Sequence, residues 1–372
     1  MCLRFVPLVA LVLVLVFVAQ PRPVCAETAY PVGTGLEIAP YGQFHFAYQS
    51  FDDGQIETAN IVDITNANSR IGFYLRTPGR SDGLSFHFES GLGFRPSQKT
   101  SQINTPEFWN WQRTDLRKVQ LVWKGRFGTL KLGQGSMTSD GAAESDLGKT
   151  VIVAKSTIPE ANGAYIFRTG TGALSNVTIG QTFSNFDGGR QGRIRYDSPY
   201  FAGFSIGLAY GREILKSGVD DDYYDIALRY AKEFQRLKVT GAASFAYLET
   251  ATFDESVAIG SLAIYDKPTG LNAALAVGRE HKTGANYAYL KLGWNTKVMQ
   301  SGETRFVFES FRGADYLTQG AQSDMWGLGV IQSFEALRTE VYLGYRAFSY
   351  DDTTAVTYQD ANAVQFGARF RF

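Results

Sequence analysis

Three features of this chain predict an all-β fold closed into an antiparallel transmembrane β-barrel. Segments of about ten residues with period-two alternation recur along most of its length. After residue 26 no apolar run approaches the length of a membrane helix. The chain also stops on an alternating strand, Val364-Gln365-Phe366-Gly367-Ala368-Arg369-Phe370-Arg371-Phe372. By alternation Val364, Phe366, Ala368, Phe370 and Phe372 face one side, and Gln365, Gly367, Arg369 and Arg371 the other. An oily face opposite two arginines suits a strand with lipid outside and water inside.

The first residues specify export. Arg4 precedes the apolar run Phe5 to Ala19, and Gln20-Pro21-Arg22-Pro23 closes it before Val24-Cys25-Ala26. A charged start, an apolar centre and a small-residue end read as a secretory signal over residues 1–26, cleaved after Ala26. Cys25 raises a lipoprotein alternative, for which Arg22 and Val24 are poor neighbours. Both cysteines, Cys2 and Cys25, leave with the signal. Residues 27–372, a single barrel domain, then hold no thiol for a disulfide, a metal or a nucleophile. Loss of Arg4 and Arg22 takes Lys+Arg from 36 to 34 against 36 Asp+Glu, a formal charge of −2. That balance excludes the strong basic excess of a nucleic-acid binder.

The 27 Phe, 20 Tyr and 39 Gly against 4 Met favour strands and tight turns. Residues 44–48, 84–88, 119–123 and 129–132 alternate early in the chain, and 224–230 and 341–346 later. The links between strands alternate long and short, as outer loops and periplasmic turns do. Long links fall at 52–68, 95–114 and 135–163, and short ones at 78–83, 125–128 and Gly170-Thr171-Gly172. Further outer links near 186–191, 214–222, 280–285, 313–323 and 351–360 are more modest, with tight turns between them. Counted this way the barrel has eighteen strands; one hairpin fewer gives sixteen.

Several of these segments resemble those of a Gram-negative general porin of the alphaproteobacterial kind. They are Asn68-Ser69-Arg70-Ile71-Gly72-Phe73, Gly83-Leu84-Ser85-Phe86-His87-Phe88-Glu89, residues 125–134 from Gly125-Arg126-Phe127-Gly128 onward, Arg193-Ile194-Arg195-Tyr196-Asp197-Ser198-Pro199 and the terminal Phe372. The resemblance implies sixteen strands, an outer-membrane location in a Gram-negative bacterium and a homotrimer of water-filled pores. It implies a third outer loop folded into each pore. It also implies a C-terminal signal, Phe366, Phe370 and Phe372, read by the barrel assembly machinery, and lipid and lipopolysaccharide as surroundings.

The longest loop, 135–163, carries Asp140, Glu144 and Asp146. Folded inward, it sets these carboxylates against Arg70, Lys118, Lys131, Arg193 and Arg195, each on the polar side of its strand. Opposed acidic and basic rims order water across the pore, which penalises apolar solutes more than ions or small polar ones. Lying on the surface instead, the loop would only solvate its acids. Asp220-Asp221-Asp222 and Asp351-Asp352 lie in outer links, as solvated runs or as sharers of divalent cations with lipopolysaccharide. Phe108, Trp109 and Trp111 suit either a latch on a neighbouring subunit or the interfacial aromatic girdle.

Enzyme signals fail. Gly148-Lys149-Thr150 lacks the upstream glycine of a P-loop, where Ala143 stands. His45, His87 and His281 are isolated, and His45 and His87 alternate to the lumen as polar lining. The reading is a channel for passive diffusion of small hydrophilic solutes and ions, with no cofactor, metal or turnover. Its rivals are a channel selective for a sugar, anion or dicarboxylate, a barrel-borne hydrolase and an adhesin. Tyr74, Tyr342 and Phe348 hint at a lumenal aromatic ladder that would favour the first.

Overall fold

Period-two alternation is satisfied when one face of each strand meets lipid and the other meets the barrel interior. The computed structural model describes residues 29–33 and 35–372, so the predicted signal over residues 1–26 lies outside the described residues. The strands begin with β1 (Tyr30–Val32), β2 (Leu36–Asp52), β3 (Glu57–Asp63), β4 (Arg70–Arg76), β5 (Gly83–Gly91), β6 (Leu116–Gly125) and β7 (Gly128–Ser136). Next come β8 (Ile166–Arg168), β9 (Leu174–Thr178), β10 (Arg190–Asp197), β11 (Phe204–Arg212), β12 (Asp222–Glu233), β13 (Leu237–Glu249) and β14 (Asp254–Asp266). The last are β15 (Leu271–Glu280), β16 (Asn286–Met299), β17 (Gly302–Ala314), β18 (Gln322–Phe334), β19 (Thr339–Asp351) and β20 (Ala361–Arg371).

Sixteen staves make the closed wall. β3 and β4 lie end to end along β2, pairing with residues 46–52 and 37–43 respectively, so they form one interrupted stave. β20 closes the barrel on β2, with Phe44 opposite Phe370 and His45 opposite Arg369. The terminal Phe372 exchanges two backbone hydrogen bonds with Gly42, each 3.1 Å, and its ring lies against Phe44 and Phe370. Phe366, Phe370 and Phe372 all face outward and are exposed, as alternation predicts.

The expected count of eighteen is corrected by β8 and β9. They pair only with each other, as a two-stranded hairpin apart from the barrel sheet. Gly170-Thr171-Gly172 is the tip of that hairpin, not a periplasmic turn. With three and five residues, these strands are also shorter than the ~9–11 residues that cross a bilayer. The third outer loop, L3, therefore runs over residues 137–189 instead of 135–163, and includes the helical turns α1 (Pro159–Asn162) and α2 (Ile179–Thr182).

L3 turns inward because it carries an apolar face of its own. Ile152, Ile158, Tyr165, Phe167, Ile179 and Phe183 are fully buried. They pack on inward side chains such as Phe51, Phe311, Phe348 and Tyr342. Tyr165 stacks on Phe51 with ring centroids 4.1 Å apart, and Phe183 lies 5.5 Å from Phe311. Burial of each such side chain contributes ~1.5–3 kcal/mol. Close approach also needs room: a Cβ on Gly344 would lie 2.4 Å from Val153 Cγ2, and one on Gly329 would lie 2.9 Å from Val153 Cγ1.

The outer mouth is tied together by Asp53, beyond β2. Its carboxylate accepts from Arg168 Nε of L3 at 2.7 Å and from Gln102 Nε2 of the second outer loop at 3.3 Å. Despite burial, Arg168 and the Ile56 and Gln55 amides hold the Asp53 carboxyl below the usual carboxylate range.

Candidate functional site: the pore constriction

L3 crosses the lumen as a strap, bonded in turn to successive staves. Ser139 N donates to Asp225 of β12 at 2.7 Å, Ser145 N to Ser261 of β14 at 3.0 Å, and Asn295 of β16 to the Gly148 carbonyl at 3.1 Å. Arg305 of β17 then reaches the Lys149 carbonyl at 3.1 Å, and Asn66, between β3 and β4, reaches that of Val151 at 2.9 Å. This path covers the inner face from β12 to β20. It leaves the wall around β4–β10 facing the open lumen.

The three predicted acids meet different fates along the strap. Asp146 pairs with Lys291 of β16 at 2.8 Å, with only 10% and 3% of the two side chains exposed, and it also accepts from the Gly148 and Thr150 amides. Glu144 pairs with Lys155 at 2.9 Å and accepts the Thr157 hydroxyl hydrogen bond. Although burial disfavours its charge, Glu144 and Glu160 hold the Lys155 ammonium above its ordinary range. Asp140 makes no ion pair with any described residue. Nearby Asp187, absent from the sequence expectations, accepts the Gly141 and Ala143 amides at 2.7 and 2.9 Å. Burial, then the charges of Glu144 and Asp140, push its carboxyl well above the usual range.

The basic residues gather in two groups, one on the uncovered wall and one at its border with L3. Around Glu89 of β5 stand Arg70 at 3.5 Å, Arg117 at 2.7 Å and Lys118 at 3.5 Å. Alternation puts Lys118 inward and Arg117 outward. A register shift between Glu89 and Ser90 pairs them with Lys118 and Leu116, so Arg117 is an extra residue and both cations reach one carboxylate. That irregularity is why the sequence pattern missed Arg117. Around Asp197 of β10 stand Lys131 at 2.9 Å, Arg195 at 2.8 Å and Arg229 at 3.9 Å. Arg195 also donates to the Ser136 and Met137 carbonyls, and Arg193 to those of Ser136 and Gly133. These two arginines thus hold the strand-to-loop junction where L3 departs.

The remaining aromatic and histidine expectations resolve individually. Tyr342 and Phe348 face inward but lie buried beneath L3, so they form no exposed ladder with Tyr74. His45 contacts the Tyr342 hydroxyl at 2.9 Å, and His87 contacts that of Tyr41 at 2.7 Å. Phe108 lies over Phe46 and Phe94 on the outer side of the barrel, while Trp109 and Trp111 stay exposed.

Comparison with known proteins agrees with this architecture. The family model described as Gram-negative porin matches residues 10–372. The anion-selective porin from Comamonas acidovorans superposes with a TM-score of 0.61 at 16% identity, over 91% of this chain and 100% of that one. OprB of Pseudomonas putida gives 0.61 at 10% identity, over 91% and 94%. The trimer form of OmpT, an outer membrane protein of Vibrio cholerae, gives 0.56 at 15% identity, over 91% and 100%. No curated protein sequence matches the chain. A closed sixteen-stave barrel narrowed by an inward third loop, matched by the family model almost from end to end, places the chain in the Gram-negative porin family as an outer-membrane channel for diffusion.

Proposed function

We propose that this porin is a passive pore for small hydrophilic solutes whose constriction favours anions. One observation carries the reading: six cations on the uncovered wall and at its border with L3 share two carboxylates, Glu89 and Asp197. Arg193 adds a seventh positive charge bonded to carbonyls and Gln120. On the facing loop Asp146 is offset by Lys291, and Glu144 and Glu160 share Lys155, which leaves Asp140 and one of that pair as opposing charge. In a narrow passage with low-dielectric walls, an uncompensated positive rim lowers the barrier for anions and raises it for cations. The likeness in fold to the Comamonas acidovorans protein, an anion-selective porin, supports the same direction. Reversal potential across a planar bilayer in a potassium chloride gradient tests it. Chloride preference is expected; potassium preference would sink the proposal.

The same reading extends to assembly. Residues 27–372 form the mature chain, a homotrimer that buries the β2–β20 seam at Phe44, Phe370 and Phe372. The exposed aromatic rings there and the trimer form of OmpT support it. Phe46 is partly covered by Phe94 and Phe108 of its own chain and so contributes less to that surface. A charged residue at Phe44 should release monomers in mild detergent, and unchanged trimers would count against the placement. Deletion of Phe372 should lower the yield of assembled barrels more than the conductance of those that form.

A further inference from the structure

A second concentration of positive charge begins at Arg70 of the constriction and extends towards the short-turn end. It surrounds a cavity of ≈ 580 Å³ lined by Gln43, Arg70, Lys149, Val151, Arg305, Glu340, Arg369 and Arg371. Arg305 lies just beyond the turn before β17, Glu340 just beyond the turn before β19, and Arg371 beside the C-terminus. The cavity therefore faces the short-turn end of the barrel, the periplasmic end in outer-membrane barrels. Five cations line it against one carboxylate.

That carboxylate organises the site without saturating it. Glu340 accepts from Arg305 at 2.7 Å, Arg369 Nε at 2.9 Å and Arg371 at 2.6 Å. Arg305 is largely committed, since it also donates to Glu303, Ser333 and the Lys149 carbonyl. Among the described residues, Arg369 donates only through Nε and one terminal nitrogen, and Arg371 through one terminal nitrogen. A guanidinium carries five N–H groups, so both keep donors to offer. Arg371 is 52% exposed, and Lys149 is 71% exposed with its nearest carboxylate, Glu303, 4.0 Å away. Donors thus converge from the barrel seam, from β4 and from L3.

We propose that this cavity binds a phosphate dianion, free or as a monoester, at the periplasmic face of L3. The proposal rests on the anion-favouring reading above and adds a saturable station to it. Chloride offers a single charge to a site whose five cations exceed the carboxylates that pair with them, Glu340, Glu303 and Glu89, by two. A phosphate dianion presents two charges and several oxygens in different directions, which forked guanidiniums from different strands can share. The volume exceeds what one phosphate fills, leaving room beside Val151 for the organic part of an ester. Glu340 is a positioning residue: it holds Arg305, Arg369 and Arg371 in register.

Chloride current through single channels, with blocker added at the short-turn end, tests the site. A hexose 6-phosphate should reduce the current saturably, and the uncharged hexose at the same concentration should not. Inorganic phosphate alone separates the two sources: equal block means the dianion suffices, and stronger block by the ester means its organic part also binds. The double variant Arg369→Gln, Arg371→Gln should raise the half-blocking concentration about tenfold or more. Because that change falls at the closing seam, Lys149→Gln on the exposed loop serves as a second variant and should raise it about threefold. Lys297→Gln, an exposed lysine on β16, should leave the block unchanged. Equal half-blocking concentrations in wild type and Lys149→Gln, or a block no stronger than the hexose gives, would overturn the site. Chloride preference without saturable block removes this site and leaves the proposed pore. Saturable block in a potassium-preferring channel does the reverse.

Discussion

The wall covered by L3 and the wall left open use charge in opposite proportions. Where the apolar face of L3 packs on the wall, charges are matched: Lys291 with Asp146, and Arg346 with Glu309, which also accepts the Tyr289 hydroxyl; only towards the short-turn end, among the described residues, do three arginines share one carboxylate, Glu340. Around the matched pairs the inward residues are apolar, among them Tyr289, Val307, Phe311, Met325 and Ile331. On the open wall and at its border with L3 three cations crowd each carboxylate, and the inward residues are polar. Burial explains the difference. A charge taken from water must find a partner or cost several kcal/mol; Lys118 and Lys131 keep about a quarter of their side chains exposed, 25% and 26%, against 3% for Lys291, and can stay in excess.

The largest effect expected from breaking this contrast is at Asp146. Asp146→Asn leaves Lys291 buried without its carboxylate and should weaken loop docking by ~3–5 kcal/mol. Limited proteolysis should then cut within L3, and single-channel traces should show larger, noisier steps. A protease-resistant loop with wild-type steps would contradict the assignment. Next is Gly344→Val, which drives a side chain into Val153 and should cost ~1–3 kcal/mol. Its expected signature is a shifted strap and altered conductance in a barrel of normal thermal stability.

At the border of the open wall, Lys131→Gln should barely change stability, about 0–1 kcal/mol, since Lys131 is one of three cations at Asp197. It should move the reversal potential towards cations; no movement in dilute salt, where screening is weakest, would remove it from the ion path. The smallest effect concerns pH. Asp187 has a raised carboxyl pKa, so its protonated form is favoured in the folded loop. Its contribution to loop stability is full below the unfolded value and is lost as pH rises through the raised one. Over that window L3 gains a negative charge and anion preference should fall. Asp187→Asn should flatten this dependence, and an unchanged pH profile would assign it to another group.

Much of the barrel was legible because lipid and lumen impose opposite chemistry on alternate residues, as the last nine residues display without a break. The hairpin within L3 was misread because Ile166-Phe167-Arg168 and Leu174–Thr178 alternate like barrel strands around a glycine turn. Pairing partners distinguish the two cases, and alternation says nothing about partners. In the constriction, Arg70, Lys118, Lys131, Arg193 and Arg195 were legible as inward cations. Arg117 was not, because one extra residue in a strand reverses facing locally. Asp187 lies nearly fifty residues beyond Gly141, which it binds, and no local pattern encodes that contact.

The anchoring of L3 also sets an order of events during assembly. Arg346 grips the Val153 carbonyl across 193 residues of chain, and Tyr316 grips that of Ser184 across 132. Until the C-terminal staves arrive, Ile152, Ile158, Phe167 and Phe183 have no surface to bury against. Contacts so distant in sequence form slowly, since loop-closure entropy must be overcome before they contribute. The strap therefore docks late, in a barrel whose wall is already nearly complete. Pulse-labelled chains should acquire heat-modifiable mobility before L3 becomes protease-resistant, and simultaneous acquisition would show that loop and wall condense together.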